Sequence, residues 1–167
     1  LIYASMAAYL AAVVLMMLKR RKAGEGVFAA GFALAAAAFA LRWGQTGHVP
    51  MQNLFEVFLS LGVIAFPISL LCRLGFGARD AEVDALMGLA VLFPAGFVFS
   101  AAPQMLPPAL RSPLFAPHVA AYMVAYMLLF KASAPALRVV FGHAQAAGRA
   151  EADDAIAFRL VRAGFPM

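Results

Sequence analysis

Five apolar segments, each close to the length needed to cross a lipid bilayer, fill most of this chain and limit what it can fold into. Hydrophobic residues make up 65% of the 167 positions and charged residues only 13%, whereas a soluble domain is about half apolar and about a quarter charged. Because lipid offers the backbone no hydrogen-bond partners, each segment is expected to be a helix. The sequence therefore predicts an all-α, polytopic transmembrane helix bundle over residues 1–143, with spans at about 1–18, 26–43, 53–74, 84–101 and 115–139.

The remaining residues, 144–167, have a different composition. Small and charged side chains alternate here, with three acidic residues ahead of Arg159 and Arg162. This pattern is typical of an amphipathic helix. We therefore expect a short connector on the inner face of the membrane that leads into a further span.

Basic residues lie beside the apolar segments and predict the orientation of the chain. Residues 19–22 are all Lys or Arg, and the next link on the same side carries Arg73 and Arg79. The positive-inside rule then puts the N-terminus outside and the C-terminus in the cytoplasm. The net charge of +5 is thus explained by topology, and we expect the lipid bilayer, not nucleic acid, as the partner of these residues.

Two links that are predicted to lie on the same outer face carry unusual polar residues. One contains His48 and the other opens the fifth apolar segment at His118. The single Cys72 excludes an internal disulfide and a thiolate metal cluster, and no Cys-x-x-Cys-His motif is present for covalent attachment of haem to this chain. The histidines are therefore the residues that a function has to explain.

Glu56 is predicted to lie about one helical turn inside the third span. A carboxylate inside the membrane is costly and normally has a partner. Arg42, at the outer end of the preceding span, is close enough in sequence to be that partner. We expect the two residues to form an ion pair that fixes the two helices and the link between them.

The polar links carry a resemblance to a known family. The first reads Arg42-Trp43…Gly47-His48-x-Pro50-x-x-Asn53-Leu54-Phe55-Glu56. The second reads Leu106-x-Pro108-Ala109-Leu110-x-Ser112-x-Leu114-x-x-x-His118-Val119, followed by Tyr122 and Tyr126. These motifs, in this order, resemble the signature of the cytochrome c assembly family of the CcsA/ResC type. The closing Arg159-x-x-x-Ala163-Gly164-Phe165-Pro166 is similar to the lead-in of that family's tryptophan-rich haem-binding segment.

The resemblance implies a protein of the bacterial inner membrane that works in system II cytochrome c biogenesis. Such a protein binds haem b transiently and presents it on the outer face for attachment to Cys-x-x-Cys-His apocytochrome c. A ResB/CcsB-type membrane protein would be its partner, and the two would belong to a haem lyase complex. The tryptophan-rich segment would follow Pro166, and Trp43 is the only tryptophan. We therefore expect an N-terminal part of such a protein, with one of two axial haem ligands and no activity alone.

Each candidate haem residue also has a structural interpretation. The resemblance implies that His118 is an axial ligand of the haem iron, but a histidine at a helix start also caps or hydrogen-bonds it. His48 could contact haem or bond a nearby carbonyl. Trp43 could form a haem wall or anchor the helix at the membrane interface. Arg111 could bind a haem propionate or remain a solvated interfacial charge.

Two other classes of function stay open at this point. A transporter or channel subunit could use Arg42 and Glu56 to line a pathway. A purely structural subunit of a membrane assembly would need no cofactor at all.

Overall fold

The structure is a computed structural model, and it describes residues 1–102, 104, 112–141 and 147–165. These residues form α-helices and no strand, which confirms the prediction of an all-helical fold for this part of the chain. The helices are α1 Ile2–Met17, α2 Arg21–Thr46, α3 Leu54–Gly75, α4 Ala81–Phe97, α5 Phe115–Val140 and α6 Ala147–Gly164.

Three of these helices, α2, α3 and α5, are long and apolar enough to cross a membrane. They contain 26, 22 and 26 residues and are compatible with a membrane protein. The other two predicted spans are shorter, since α1 has 16 residues and α4 has 17. A helix rises about 1.5 Å per residue, so both fall short of the roughly 30 Å of a hydrocarbon core. Helix α4 begins at Ala81, before the predicted span of residues 84–101, and ends at Phe97, before the end of that span.

Helices α1 to α4 pack into one antiparallel unit. Helix α1 packs against α2 and α4, and α3 packs against α2 and α4. Small residues allow this close approach: a side chain at Gly31 or Gly88 would collide with the ring of Tyr9. Tyr9 is fully buried, and its hydroxyl donates a 2.9 Å hydrogen bond to the carbonyl of Gly62. The buried Tyr9 hydroxyl therefore has a hydrogen-bond partner. The Gly62 carbonyl is within reach because the helices approach each other closely.

The two ends of the bundle are defined by contacts between helix termini. At the end that carries His48, the Tyr3 hydroxyl donates to the Gly96 carbonyl over 2.7 Å. At the opposite end, Arg73 Nη1 lies 3.0 Å from Glu25 Oε2. We call these the His48 end and the Arg73 end. The order of the antiparallel helices puts the start of α5 at the His48 end.

Helices α5 and α6 form an antiparallel hairpin, which packs more lightly against α3 and α4 than its two helices pack on each other. Arg138 meets Asp153 at the connecting end of the hairpin, and Gly164 approaches Ala125 and Leu128 farther along α5. The buried residues of α6 recur every three to four positions at Asp153, Ala157, Leu160 and Gly164. These residues form the face of α6 that packs on α5. The amphipathic helix that we expected along the inner face therefore lies against α5.

Candidate functional site

The link between α2 and α3 is shaped by residues that cap the two helices. Helix α2 stops at Gly47, which adopts the left-handed conformation with φ of 69°, a backbone position that favours glycine. Helix α3 begins after Asn53, whose side-chain oxygen accepts a 2.9 Å hydrogen bond from the backbone N–H of Glu56. These caps stop one helix and start the next within a few residues, so the ends of α2 and α3 lie side by side.

Arg42 and Glu56 meet across this link. Arg42 Nε and Nη2 lie 2.9 Å and 2.8 Å from Glu56 Oε1, and the other carboxylate oxygen accepts a 2.9 Å bond from the backbone N–H of Gln52. Glu56 is completely buried, and the Arg42 guanidinium also lies over the Phe55 ring at 5.5 Å. Each carboxylate oxygen thus has a donor, and the pair joins the end of α2 to the first turn of α3.

A cavity of about 360 Å³ opens beside this ion pair. Its lining is mainly apolar and includes Ile2, Leu41, Phe55 and Leu59, with Arg42 contributing a charge. Neither His48 nor His118 contributes to this lining. The cavity can hold a small apolar group next to Arg42, but it does not offer an imidazole ligand to a metal.

His48 lies in the link itself and is half-buried. Its ring Nδ1 lies 3.0 Å from the carbonyl of Val49, while its own carbonyl accepts a 3.2 Å bond from the Thr46 hydroxyl. One ring nitrogen is therefore engaged locally. Trp43, one turn before the end of α2, is 47% exposed and packs edge-on against Phe39, as an anchor at a membrane interface would.

His118 lies in the first turn of α5 and is exposed. Its ring meets Tyr122 edge-on with centroids 4.5 Å apart, and Tyr122 stacks with Tyr126 at 6.3 Å. The spacing of four residues puts all three rings on one side of the helix, and both tyrosines are exposed. We call these three residues the α5 aromatic stripe.

The structure brings some of the candidate residues together and leaves others apart. Arg42 and Glu56 meet, whereas no contact among the described residues joins His48 to His118, although both lie at the His48 end. Arg111 lies outside the described residues. Within the described ranges, no group of three or more His, Cys, Asp or Glu side chains could hold a metal ion.

A second polar cluster lies inside the bundle, and sequence reasoning missed it. Lys131 of α5 and Asp84 of α4 are each only 1% exposed, and Lys131 Nζ lies 2.5 Å from both carboxylate oxygens of Asp84. The hydroxyl of Ser69 in α3 donates to the same carboxylate over 2.5 Å. Lys131 does not extend toward the membrane surface, because Asp84 neutralises its charge inside the bundle. The sequence feature that could have indicated this pair is that Asp84 and Lys131 are each an isolated charge in an apolar segment.

Arg138 makes a further charged contact near the Arg73 end. Its guanidinium binds Asp80, just before α4, over two 3.1 Å contacts. It also binds Asp153 of α6 over 2.8 Å and 3.0 Å. The pKa of Asp153 lies below its ordinary value because Arg138 donates hydrogen bonds to the ionised carboxylate. Arg138 thus links the α5–α6 hairpin to the start of α4.

Comparison with known proteins leaves this chain without a match. No family model, no curated protein and no solved structure matches it.

Proposed function

We propose that this chain is a membrane component of c-type cytochrome biogenesis that binds haem and presents it on the outer face of the bacterial inner membrane. Its partners would be a ResB/CcsB-type membrane protein and apocytochrome c. The proposal rests on the motif resemblance together with one structural observation, the exposed α5 aromatic stripe that begins at His118.

The proposal includes five spans, with α1 and α4 crossing beside the three longer helices. Both shorter helices pack against helices of membrane length, so they would lie at the same depth in the bilayer. Residues 19–22, Arg73 and Arg79 all lie at the Arg73 end. The positive-inside rule would make this end cytoplasmic and the His48 end external. The N-terminus would then lie outside and the start of α6 inside, from where α6 turns back along α5.

The exposed α5 aromatic stripe would bind haem from one side only, through a single axial ligand. His118 offers an imidazole whose side chain has no hydrogen bond within the described residues, and Tyr122 supports the ring from below. Neutral imidazole is a common axial ligand of haem iron. Haem supplies the vinyl groups to which the apocytochrome thiols add, while this chain would hold and orient it. An exposed binding site would allow haem to be transferred to another protein. The second axial ligand would come from elsewhere.

A haem titration of the purified chain in mild detergent tests this proposal. We expect a Soret band and a reduced-minus-oxidised signal that His118→Ala abolishes and added imidazole restores. Phe130→Ala is the matched control, since Phe130 is exposed farther along α5 and should leave the spectrum unchanged. His48→Ala in the same series separates a ligand from a residue of the link.

The proposal would be abandoned if His118→Ala retained the spectrum of the parent chain. A chain that binds no haem at all would instead favour a cofactor-free structural subunit. Equal losses in His118→Ala and Phe130→Ala would point to damage of α5, not to removal of a ligand.

A second candidate is an ion-coupled transporter subunit, and the buried Asp84–Lys131 pair favours it. Ionisable residues inside membrane segments are costly and often mark ion or proton pathways. On this alternative, proton flux into liposomes measured with a trapped pH-sensitive dye would fall in Asp84→Asn. Flux no greater than in protein-free liposomes would remove this candidate.

A further inference from the structure

A basic groove lies at the Arg73 end, between the start of α2 and the end of α3. An open cavity of about 710 Å³ is lined there by Arg21, Lys22, Glu25, Arg73, Leu74 and Arg79. We call these six residues the basic groove. Four of their side chains are cationic and one is anionic, so the groove carries a net charge of +3.

The positive charge of the groove is only partly neutralised by its own acid. Glu25 lies 3.0 Å from Arg73 and 3.4 Å from Arg21, and Arg21 is also 3.8 Å from Glu82. Lys22 and Arg79 are exposed and form no ion pair within the described part of the chain. Two cations therefore remain free to bind an anion from outside the chain.

The groove continues into an apolar cleft. A second cavity of about 200 Å³ shares Arg21, Glu25, Arg73 and Arg79 with the groove. It then extends past the apolar side chains of Phe66 and Leu70. Leu70 and Leu74, on the side of α3 at this end, are 46% and 76% exposed. An occupant that satisfies both regions has an anionic head and an apolar tail.

We propose that the basic groove binds the phosphate headgroup of an anionic phospholipid, whose acyl chain lies along Phe66 and Leu70. Guanidinium groups bind phosphate oxygens through paired, charge-assisted hydrogen bonds. The groove lies at the ends of two helices of membrane length, which the proposed topology would put at the depth where lipid headgroups meet the hydrocarbon. Basic residues beside spans attract the anionic lipids of the cytoplasmic leaflet. This site does not depend on haem binding, because it lies at the end of the bundle opposite His48 and His118.

The choice of a lipid over a free anion rests on the apolar cleft. Inorganic phosphate would use the arginines but would leave Phe66 and Leu70 without a partner. A zwitterionic phospholipid has the same acyl chains, but its headgroup carries no net charge to match the net charge of +3 in the groove. Charge and shape together therefore select an anionic phospholipid.

Native mass spectrometry of the purified chain tests this site with three probes: dioleoylphosphatidylglycerol, dioleoylphosphatidylcholine and inorganic phosphate. We expect the anionic lipid to bind at least about tenfold more tightly than the zwitterionic one. A hydrogen bond to a charged group contributes about 1.5 kcal/mol or more, so the double variant Lys22→Gln, Arg79→Gln should weaken binding about 100-fold or more. Both side chains are exposed, so the variant should keep the melting temperature of the parent chain.

The matched control is Lys19→Gln, Arg20→Gln, which removes two exposed charges from the same end without touching the lining of the groove. A loss of less than about threefold in the control supports a specific site, since general attraction to surface charge would act on both variants. Equal losses in the two double variants would overturn the proposal. It would also fall if the zwitterionic lipid bound equally well, or if inorganic phosphate displaced the anionic lipid at equal concentration.

Discussion

Removing one partner of the buried Asp84–Lys131 pair should destabilise the protein strongly. Both side chains are 1% exposed and 2.5 Å apart. Losing one leaves an uncompensated charge inside the bundle, which typically costs about 3–5 kcal/mol. Lys131→Met and Asp84→Asn should therefore each lower the free energy of unfolding by about this amount. The double variant removes both charges, so it should recover most of that loss.

The exposed Glu25–Arg73 pair provides the comparison. Its atoms lie 3.0 Å apart, but its side chains are 31% and 51% exposed. Solvent screens such a pair, and its removal in Arg73→Met should cost at most about 1 kcal/mol. The charges are separated by similar distances in the two pairs, but removing one charge should destabilise the protein strongly only at Asp84–Lys131. The difference arises because that pair is buried and the Glu25–Arg73 pair is exposed.

Cys72 supplies the assay, because it is the single cysteine of the chain and is fully buried. Its labelling rate with a maleimide in mild detergent reports opening of the bundle. Since about 1.4 kcal/mol is a factor of ten, each single charge variant should accelerate labelling by about two to three and a half orders of magnitude. The double variant should label far more slowly than either single one. Additive effects of the two substitutions, or single effects no larger than that of Arg73→Met, would refute a coupled buried pair.

Two further predictions concern packing and acid sensitivity. A side chain at Gly62 would collide with Leu92, so Gly62→Ala should cost about 1–3 kcal/mol in denaturant unfolding; Gly26→Ala, which meets nothing within 4 Å, should be neutral or stabilising. If the two variants are equally stable, the close approach of α3 and α4 is not required. The pKa of Asp153 is lowered in the folded chain by Arg138, so its stabilising effect is complete above the unfolded value of about 3.9 and is lost as pH falls through the lower folded pKa. The melting temperature of Asp153→Asn should therefore depend less on pH below about 4 than that of the parent, and equal slopes would contradict the contact.

The Arg42–Glu56 pair shows what could be expected from local sequence. A short link separates the two residues. Helix α2 ends at its cap Gly47, and helix α3 begins after its cap Asn53. Because the link is short, the last turns of α2 and the first turn of α3 lie close together. The partner of the carboxylate was therefore accessible to reasoning from the chain order alone.

The Asp84–Lys131 pair lies beyond such reasoning. The two residues are 47 positions apart, and they meet only because α4 and α5 have a particular rotation and depth relative to each other. An isolated lysine in an apolar helix could equally extend to the membrane surface. The packing of α6 along α5 could not be predicted from the sequence for a similar reason. An amphipathic pattern identifies which face of a helix is buried but not which surface covers it.

The sequence by itself determined the helical class of the chain, the approximate positions of its helices and the separation of basic residues from the two histidines. These properties follow locally, because a backbone in lipid satisfies its hydrogen bonds within each segment and charges beside a segment act on that segment. Only the tertiary structure decided which charges neutralise each other and which faces stay open. Those outcomes depend on the register between helices that are distant in the chain, and packing sets that register.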